Sequence, residues 1–257
     1  MKKIVSLALV VLALVAVLAS CATTTPATTT PATTTPATTT PATTAPATTT
    51  VEDPKSEGVM TYAEYMAAAI DAQVKIEAYV QAHQSWWDNK ITVYAQDRDG
   101  AYFLYEMACS EADAAKLVPG TKIRVTGVKS VWEGEVEITE ATFEIIEGSY
   151  IAPAFDATSL LGTEELINHQ NEFVTFKGLT IEKIEYRNGE PGDDIYLTFK
   201  YGEATYDFCV EVYLTGTDSD VYKAVAELKV GDKVDVEGFL YWYKTVNTHV
   251  TSIKVAK

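Results

Sequence analysis

Two eleven-residue stretches lie 111 positions apart and follow one pattern: Leu117-Val118-Pro119-Gly120-Thr121-Lys122-Ile123-Arg124-Val125-Thr126-Gly127 and Leu228-Lys229-Val230-Gly231-Asp232-Lys233-Val234-Asp235-Val236-Glu237-Gly238. Each has a leucine at the end of a helix-like segment, a glycine turn, an alternating strand and a closing glycine. A repeat of this length and spacing makes the roughly two hundred residues after Gly58 two similar small domains rather than one large one.

The surrounding pattern supplies the elements. Thr61, followed three positions later by Glu64, reads as a capping box opening a short helix. Val74, Ile76, Ala78 and Val80 alternate along a first strand. The stretches 91–96 and 101–107 flank Asp97-Arg98-Asp99-Gly100 and predict a hairpin, with Asp-Gly supplying the positive φ of the turn. Ser110 to Leu117 predicts a capped helix, Ile123 and Val125 a fourth strand, and 133–146 a fifth. Along that fifth strand the apolar set moves from Val136 and Ile138 to Ala141, Phe143 and Ile145. A strict period of two cannot keep both sets on one face, so a bulge is expected near Thr139-Glu140.

The second half repeats the order, with helices at 163–169 and 219–228, strands at 173–184, 195–200 and 204–212, and a last strand that also changes face, between Val250 and Ile253. Five strands with a helix between the third and fourth is the order of an OB-fold barrel. The expected fold is all-β with short helices: two tandem five-stranded OB-fold-like barrels, at 59–150 and 159–257, behind a disordered stalk. A different small barrel or a sandwich is the alternative.

The front end has another composition. Lys2 and Lys3 precede an apolar run ending at Leu18, which is signal-peptide length rather than a stable membrane span. Leu18-Ala19-Ser20-Cys21 resembles a bacterial lipobox, which implies cleavage after residue 20 and lipidation of Cys21. From 21 to 58 follows a Thr/Pro-rich stalk in which Pro26, Pro31, Pro36, Pro41 and Pro46 recur every five residues. Without large apolar side chains such a segment cannot repay the entropy of folding, and in extended form it reaches on the order of 90 Å. Its threonines leave glycosylation open. The expected location is extracytoplasmic, anchored to the cell membrane.

The chain carries 20 Lys and Arg against 36 Asp and Glu, a formal net charge of −16. The excess is shared: residues 52–150 hold eight bases and eighteen acids, and 151–257 ten and eighteen. Such a field disfavours duplex DNA. With Cys21 acylated, only Cys109 and Cys209 remain, one in each apolar strand region. Two buried thiols are the reading, although a pair is open, and no disulfide framework or cysteine metal site is available. His83, His169 and His249 show no metal spacing, and neither Asp97-Arg98-Asp99-Gly100 nor Glu190 with Asp193-Asp194 matches a calcium loop. No metal or cofactor is expected, and no nucleophile elbow, phosphate loop or dinucleotide fingerprint is present.

In an OB barrel the loops joining strands one to two and four to five flank the usual binding face. Trp86 and Trp87 fall in the first such loop and Trp132 in the second, while Tyr241, Trp242 and Tyr243 occupy the corresponding connection of the second domain. These six residues are the candidate ligand contacts, able to stack on nucleobases or sugar faces, or to pack the two domains together. The segment from Tyr62 through Gln81-Ala82-His83-Gln84-Ser85-Trp86-Trp87 to Gln96-Asp97-Arg98-Asp99-Gly100-Ala101-Tyr102-Phe103 resembles an uncharacterised family of bacterial OB-fold lipoproteins. The fourth-strand pattern is also similar to OB domains attached to secreted nucleases. The resemblance covers the first domain well and the second weakly, and it implies a fold without catalytic residues. The function expected is a lipid-anchored, noncatalytic binding or scaffold protein whose partners are a cell-wall glycan, another surface protein or single-stranded nucleic acid. Alternatives are an oligonucleotide- or carbohydrate-binding module serving a partner enzyme, and a hydrolase whose carboxylate pair the sequence hides.

Overall fold

The computed structural model describes residues 54–256, so the signal segment, Cys21 and the proline-threonine repeat lie outside the described residues. The first barrel is built from α1 (Tyr62–Ala67), β1 (Gln73–His83), β2 (Lys90–Gln96), β3 (Ala101–Ala108), α2 (Glu111–Ala114), β4 (Thr121–Trp132) and β5 (Glu135–Ser149). Its strands close in the order β1-β2-β3-β5-β4. All pairs are antiparallel except β3 with β5.

The second comprises β6 (Phe155–Asp156), β7 (Phe173–Tyr186), β8 (Ile195–Tyr201), β9 (Ala204–Val210), α3 (Val212–Thr215), α4 (Asp220–Glu227), β10 (Lys233–Phe239), the small hairpin β11 (Trp242–Tyr243) and β12 (Thr245–Val246), and β13 (His249–Val255). Its main strands run β7-β8-β9-β13-β10, and pairing of β10 with β7 closes the ring. Here too the third and fifth strands, β9 and β13, are the parallel pair. The two barrels share one OB-type topology.

Period-two burial explains the cores. Val74, Ile76, Ala78 and Val80 of β1 point inward with Ile91, Val93, Leu104, Ile123, Val125 and Ile138. Phe176, Phe199 and Phe208 fill the second barrel. Both expected bulges are present. The β4–β5 register slips between Thr126 and Val128, where Glu140 takes φ +49°, and the β10–β13 register slips between Glu237 and Gly238.

The repeated glycine that closes each eleven-residue pattern sits at this slip. A Cβ on Gly127 would come 2.8 Å from the Thr139 carbonyl oxygen, and one on Gly238 would come 2.2 Å from that of His249. The fifth strand crosses so closely that only hydrogen fits there.

The capping box at Thr61 and Glu64 forms as expected, and Ser110 and Ser219 cap α2 and α4. Three expectations fail. The 97–100 hairpin forms, but neither Asp99 nor Gly100 takes a positive φ, and Asp97 Oδ1 holds the turn through their N–H groups instead. The 163–169 segment is not an α-helix but a 3₁₀ turn at Leu166–His169. The third strand of the second half ends at Val210, where Val212–Thr215 turns into α3 instead. There Asp194 Oδ1 accepts from the Val212 N–H at 2.9 Å and pulls the backbone out of the ladder.

The described residues belong to one compact unit. Tyr94 of β2 and its register partner Phe103 of β3 point outward from the first barrel and are buried by the second. Phe239 stacks on Tyr94 at 4.5 Å between centroids, and Tyr241 meets Phe103 edge-on at 5.2 Å. Polar contacts frame this apolar patch. The Phe173 N–H donates to Gln96 Oε1 at 2.9 Å and the Trp242 N–H to Glu135 Oε2 at 2.8 Å. Gln170 binds both Gly134 O and the Val136 N–H, and the Ser85 N–H reaches Tyr213 O at 2.7 Å.

Candidate functional site in the cleft between the barrels

Beside the seam the two barrels part to leave a cleft of about 640 Å³. Three elements bring its aromatic walls together. The end of β4 supplies Trp132, the β11–β12 hairpin supplies Tyr243, and the residue before that hairpin supplies Tyr241. Trp132 is 51 % exposed and Tyr243 40 %, with ring centroids 5.2 Å apart. Deeper in, Tyr241 stacks on His249 at 4.2 Å. Tyr105 and Tyr196 extend the walls along β3 and β8.

His249 Nδ1 and the Tyr94 hydroxyl are hydrogen-bonded at 2.5 Å. Burial holds its pKa down to about 3, so it adds no positive charge at neutral pH.

The charged groups of the cleft are mostly acidic. Asp194 is engaged by Arg187 at 3.0 Å, and Arg187 also lies 3.8 Å from Asp193. Glu211 accepts from Gln84 Nε2 at 3.0 Å, and burial, reinforced by the Asp194 charge, pushes its pKa up to about 7. Glu137 differs from both. It is only 6 % exposed, and no hydrogen bond or ion pair reaches its carboxylate among the described residues. Burial raises its pKa as well.

The six aromatics singled out from the sequence do not share one surface. Trp132, Tyr241 and Tyr243 line the cleft. Trp86 and Trp87 border a neighbouring groove of about 420 Å³ with Tyr213, and the two depressions have Gln84 in common. Within that groove Trp86 packs on the first core and donates Nε1–H to Cys109 O at 2.8 Å, whereas Trp87 stands 78 % exposed. Trp242 turns from the cleft onto the second core, its indole covering Gly134. The two loops expected to flank one binding face, with Trp86 and Trp87 in one and Trp132 in the other, are therefore divided between two depressions, because the second barrel covers Tyr94 and Phe103 of the β2–β3 face.

Other features resolve into structure. Asp97 Oδ1 accepts the N–H groups of Asp99 and Gly100, and Oδ2 binds Lys55 at 2.6 Å, so this carboxylate serves the hairpin turn. Cys109 and Cys209 are buried free thiols, Cys209 at the cleft wall. Among the described residues no three His, Cys, Asp or Glu side chains gather as a metal site.

Sequence reasoning missed Tyr105, Tyr196, Glu137 and Glu211. For Tyr105 a signal existed: Ala101-Tyr102-Phe103-Leu104-Tyr105 is apolar on both faces, the mark of a strand covered on both sides.

No family model matches the chain, nor does any curated protein. Solved structures with some likeness include a murine DNA-binding protein bound with double-stranded DNA, at 12% identity and a TM-score of 0.35, covering 71% of this chain and 95% of that one. The Ifi202 HINa domain in complex with 20-bp double-stranded DNA has 12% identity and a TM-score of 0.32, covering 72% and 100%. A replication protein A heterotrimer bound to single-stranded DNA has 12% identity and a TM-score of 0.26, covering 70% and 50%. Likeness of this size decides nothing about what this chain binds. The OB assignment rests on its own strand order.

Proposed function

We propose that this protein is a lipid-anchored, extracytoplasmic binding protein without catalysis, whose inter-barrel cleft receives a carbohydrate. The anchor rests on Leu18-Ala19-Ser20-Cys21 and the charged, apolar segment before it, and on the resemblance of the first domain to bacterial OB-fold lipoproteins. The observation that carries the ligand class is the pairing of open rings with carboxylates in one cleft. Trp132 and Tyr243 offer flat apolar faces, while Glu137 and Glu211 offer acceptors suited to hydroxyl donors. A nucleic-acid strand brings phosphates into a cleft whose sole arginine, Arg187, is already held by Asp193 and Asp194.

A second reading is a single-stranded oligonucleotide module. Exposed Trp87 and Tyr213 beside this groove are the observation that favours it, although its Lys90 is paired with Glu106 at 2.7 Å.

The purified full chain, titrated with cell-wall glycan fragments, soluble oligosaccharides and single-stranded DNA at fixed salt, separates the two. The expected result is glycan binding weakened about tenfold or more in W132A/Y243A, the order that loss of a stacked ring brings. DNA binding with inert glycans, sensitive to W87A rather than W132A, transfers the function to the second reading. Retention in the membrane fraction should be lost in C21A, and an unchanged distribution would remove the anchor.

A further inference from the structure

Glu137 lines the cleft with no hydrogen-bond or ion-pair partner among the described residues. It projects from β5 on the side opposite Val136 and Ile138, which face the first core, and so lies toward the second barrel. Only 6 % of the residue is exposed, its carboxylate opens into the cleft, and a carboxylate so placed ordinarily has a cation or several donors beside it. Its chain neighbour on the same face, Glu135, receives the Trp242 N–H, and Glu211 receives Gln84. Glu137 receives nothing, yet it lines the cleft. Tyr105, Trp132, Tyr241 and Tyr243 line the same cleft. Electron-rich faces with a carboxylate among them form the arrangement that holds an ammonium group. Within the chain itself Lys244 Nζ already lies over the Tyr243 ring, 5.1 Å from its centroid.

We infer that the carbohydrate taken by this cleft carries a free amine, and that Glu137 is the residue that receives it. The ligand class is then an amino sugar that is not N-acylated, such as a de-N-acetylated stretch of a glucosamine-containing polymer. The inference rests on the glycan reading above. The ligand's ammonium would form the charge-assisted hydrogen bond that Glu137 lacks, with the sugar ring against Trp132 and Tyr243. An N-acetyl group offers a neutral amide N–H in its place and loses the ionic part of the contact.

Calorimetric titration of the full chain with a glucosamine tetramer, the N-acetylglucosamine tetramer, a glucose tetramer and spermidine tests this. The expected result is glucosamine binding about tenfold or more tighter than the N-acetylated and neutral sugars, since charged hydrogen bonds exceed neutral ones by about that factor. In E137Q that preference should collapse, the glucosamine tetramer falling to the affinity of the N-acetylated and neutral tetramers measured on the same variant. Glutamine keeps the shape and removes a buried lone charge, so E137Q should fold with an unlowered melting temperature; should it fail to fold, the comparison of tetramers on the native chain decides alone. Equal binding of all three tetramers, or a preference unmoved by E137Q, overturns the amine inference and leaves the glycan reading standing. Spermidine binding as tightly as the glucosamine tetramer keeps the amine receptor and overturns the sugar. No binding of any sugar or of spermidine overturns both.

Discussion

The outer faces of the second and third strands set the two barrels apart. In the first barrel this face carries Tyr94 opposite Phe103 and is sealed by Phe239, Phe173 and Tyr241. In the second barrel the equivalent positions of β8 and β9 pair Thr198 with Asp207 and Lys200 with Thr205, and remain largely open to solvent. Only at one end, where Tyr196 faces Cys209, does this face turn apolar, and that end lines the cleft. One topology has thus been put to two uses. The face that an OB barrel usually offers a ligand is an internal joint in the first copy, and the cleft opens beside that joint with both copies contributing to its walls.

The repeated closing glycines give the sharpest contrast. Both sit where the fifth strand crosses the fourth, but a new Cβ would meet backbone oxygen at 2.2 Å at Gly238 and at 2.8 Å at Gly127, where the Ile138 side chain at 2.6 Å is the nearest atom. The backbone must yield further at Gly238. Gly238→Ala should therefore cost about 3 kcal/mol or more and Gly127→Ala less, within the usual range of about 1–3 kcal/mol for overpacking. Denaturant unfolding of the two variants measures the difference. Equal losses, or a larger one at Gly127, would mean that the crossing is no tighter in the second barrel.

Those glycines also show what was legible beforehand. The eleven-residue repeat, the alternation of β1 and the change of face along β5 and β13 revealed two barrels and both bulges, because side-chain period is a local property. The seam was less open to reading. Glu135 and Glu137 alternate with Val136 and Ile138, the signature of a solvated strand face, and only the arrival of Gln170, Asn171 and Trp242 from the other barrel makes it an interior. The aromatic loops were found by type, but their division between two grooves depends on where the second barrel docks. That docking is a tertiary choice with no spacing to announce it.

Removing matched aromatics from the two strand faces should separate joint from open surface. Tyr94 is buried, stacked on Phe239 and bonded to His249, so Tyr94→Ala is expected to destabilise by about 3 kcal/mol. Tyr196, in the corresponding strand, is partly exposed, and Tyr196→Ala should change stability by about 0.5 kcal/mol or less. Thermal or urea unfolding of both variants checks the pair. A mild Tyr94 effect would show that the seam adds little and that the barrels are stable apart.

The joint should also answer to pH with opposite slopes from its two sides. On the first barrel's side burial pushes the Glu135 pKa up to about 8, with Oε1 left without a hydrogen-bond partner. Between its ordinary value near 4.5 and about 8 the folded protein holds a proton that the unfolded chain has released, so stability falls as pH rises through that window. Glu135→Gln is neutral in both states and should abolish that share of the decline, gaining on the order of a few kcal/mol over the native chain at high pH and nothing below about pH 4. On the second barrel's side His249 is held at about 3 against an ordinary 6.5, so there the unfolded chain binds the extra proton and stability falls as pH drops through that range. His249→Gln should flatten the acid limb and leave the alkaline limb to Glu135 and Glu211. Urea midpoints measured from pH 4 to 9 on the native chain and the two variants resolve the contributions. A variant that flattens the opposite limb, or neither, would mean that the seam is wetter than its packing implies and that its ionisable groups titrate as surface groups do.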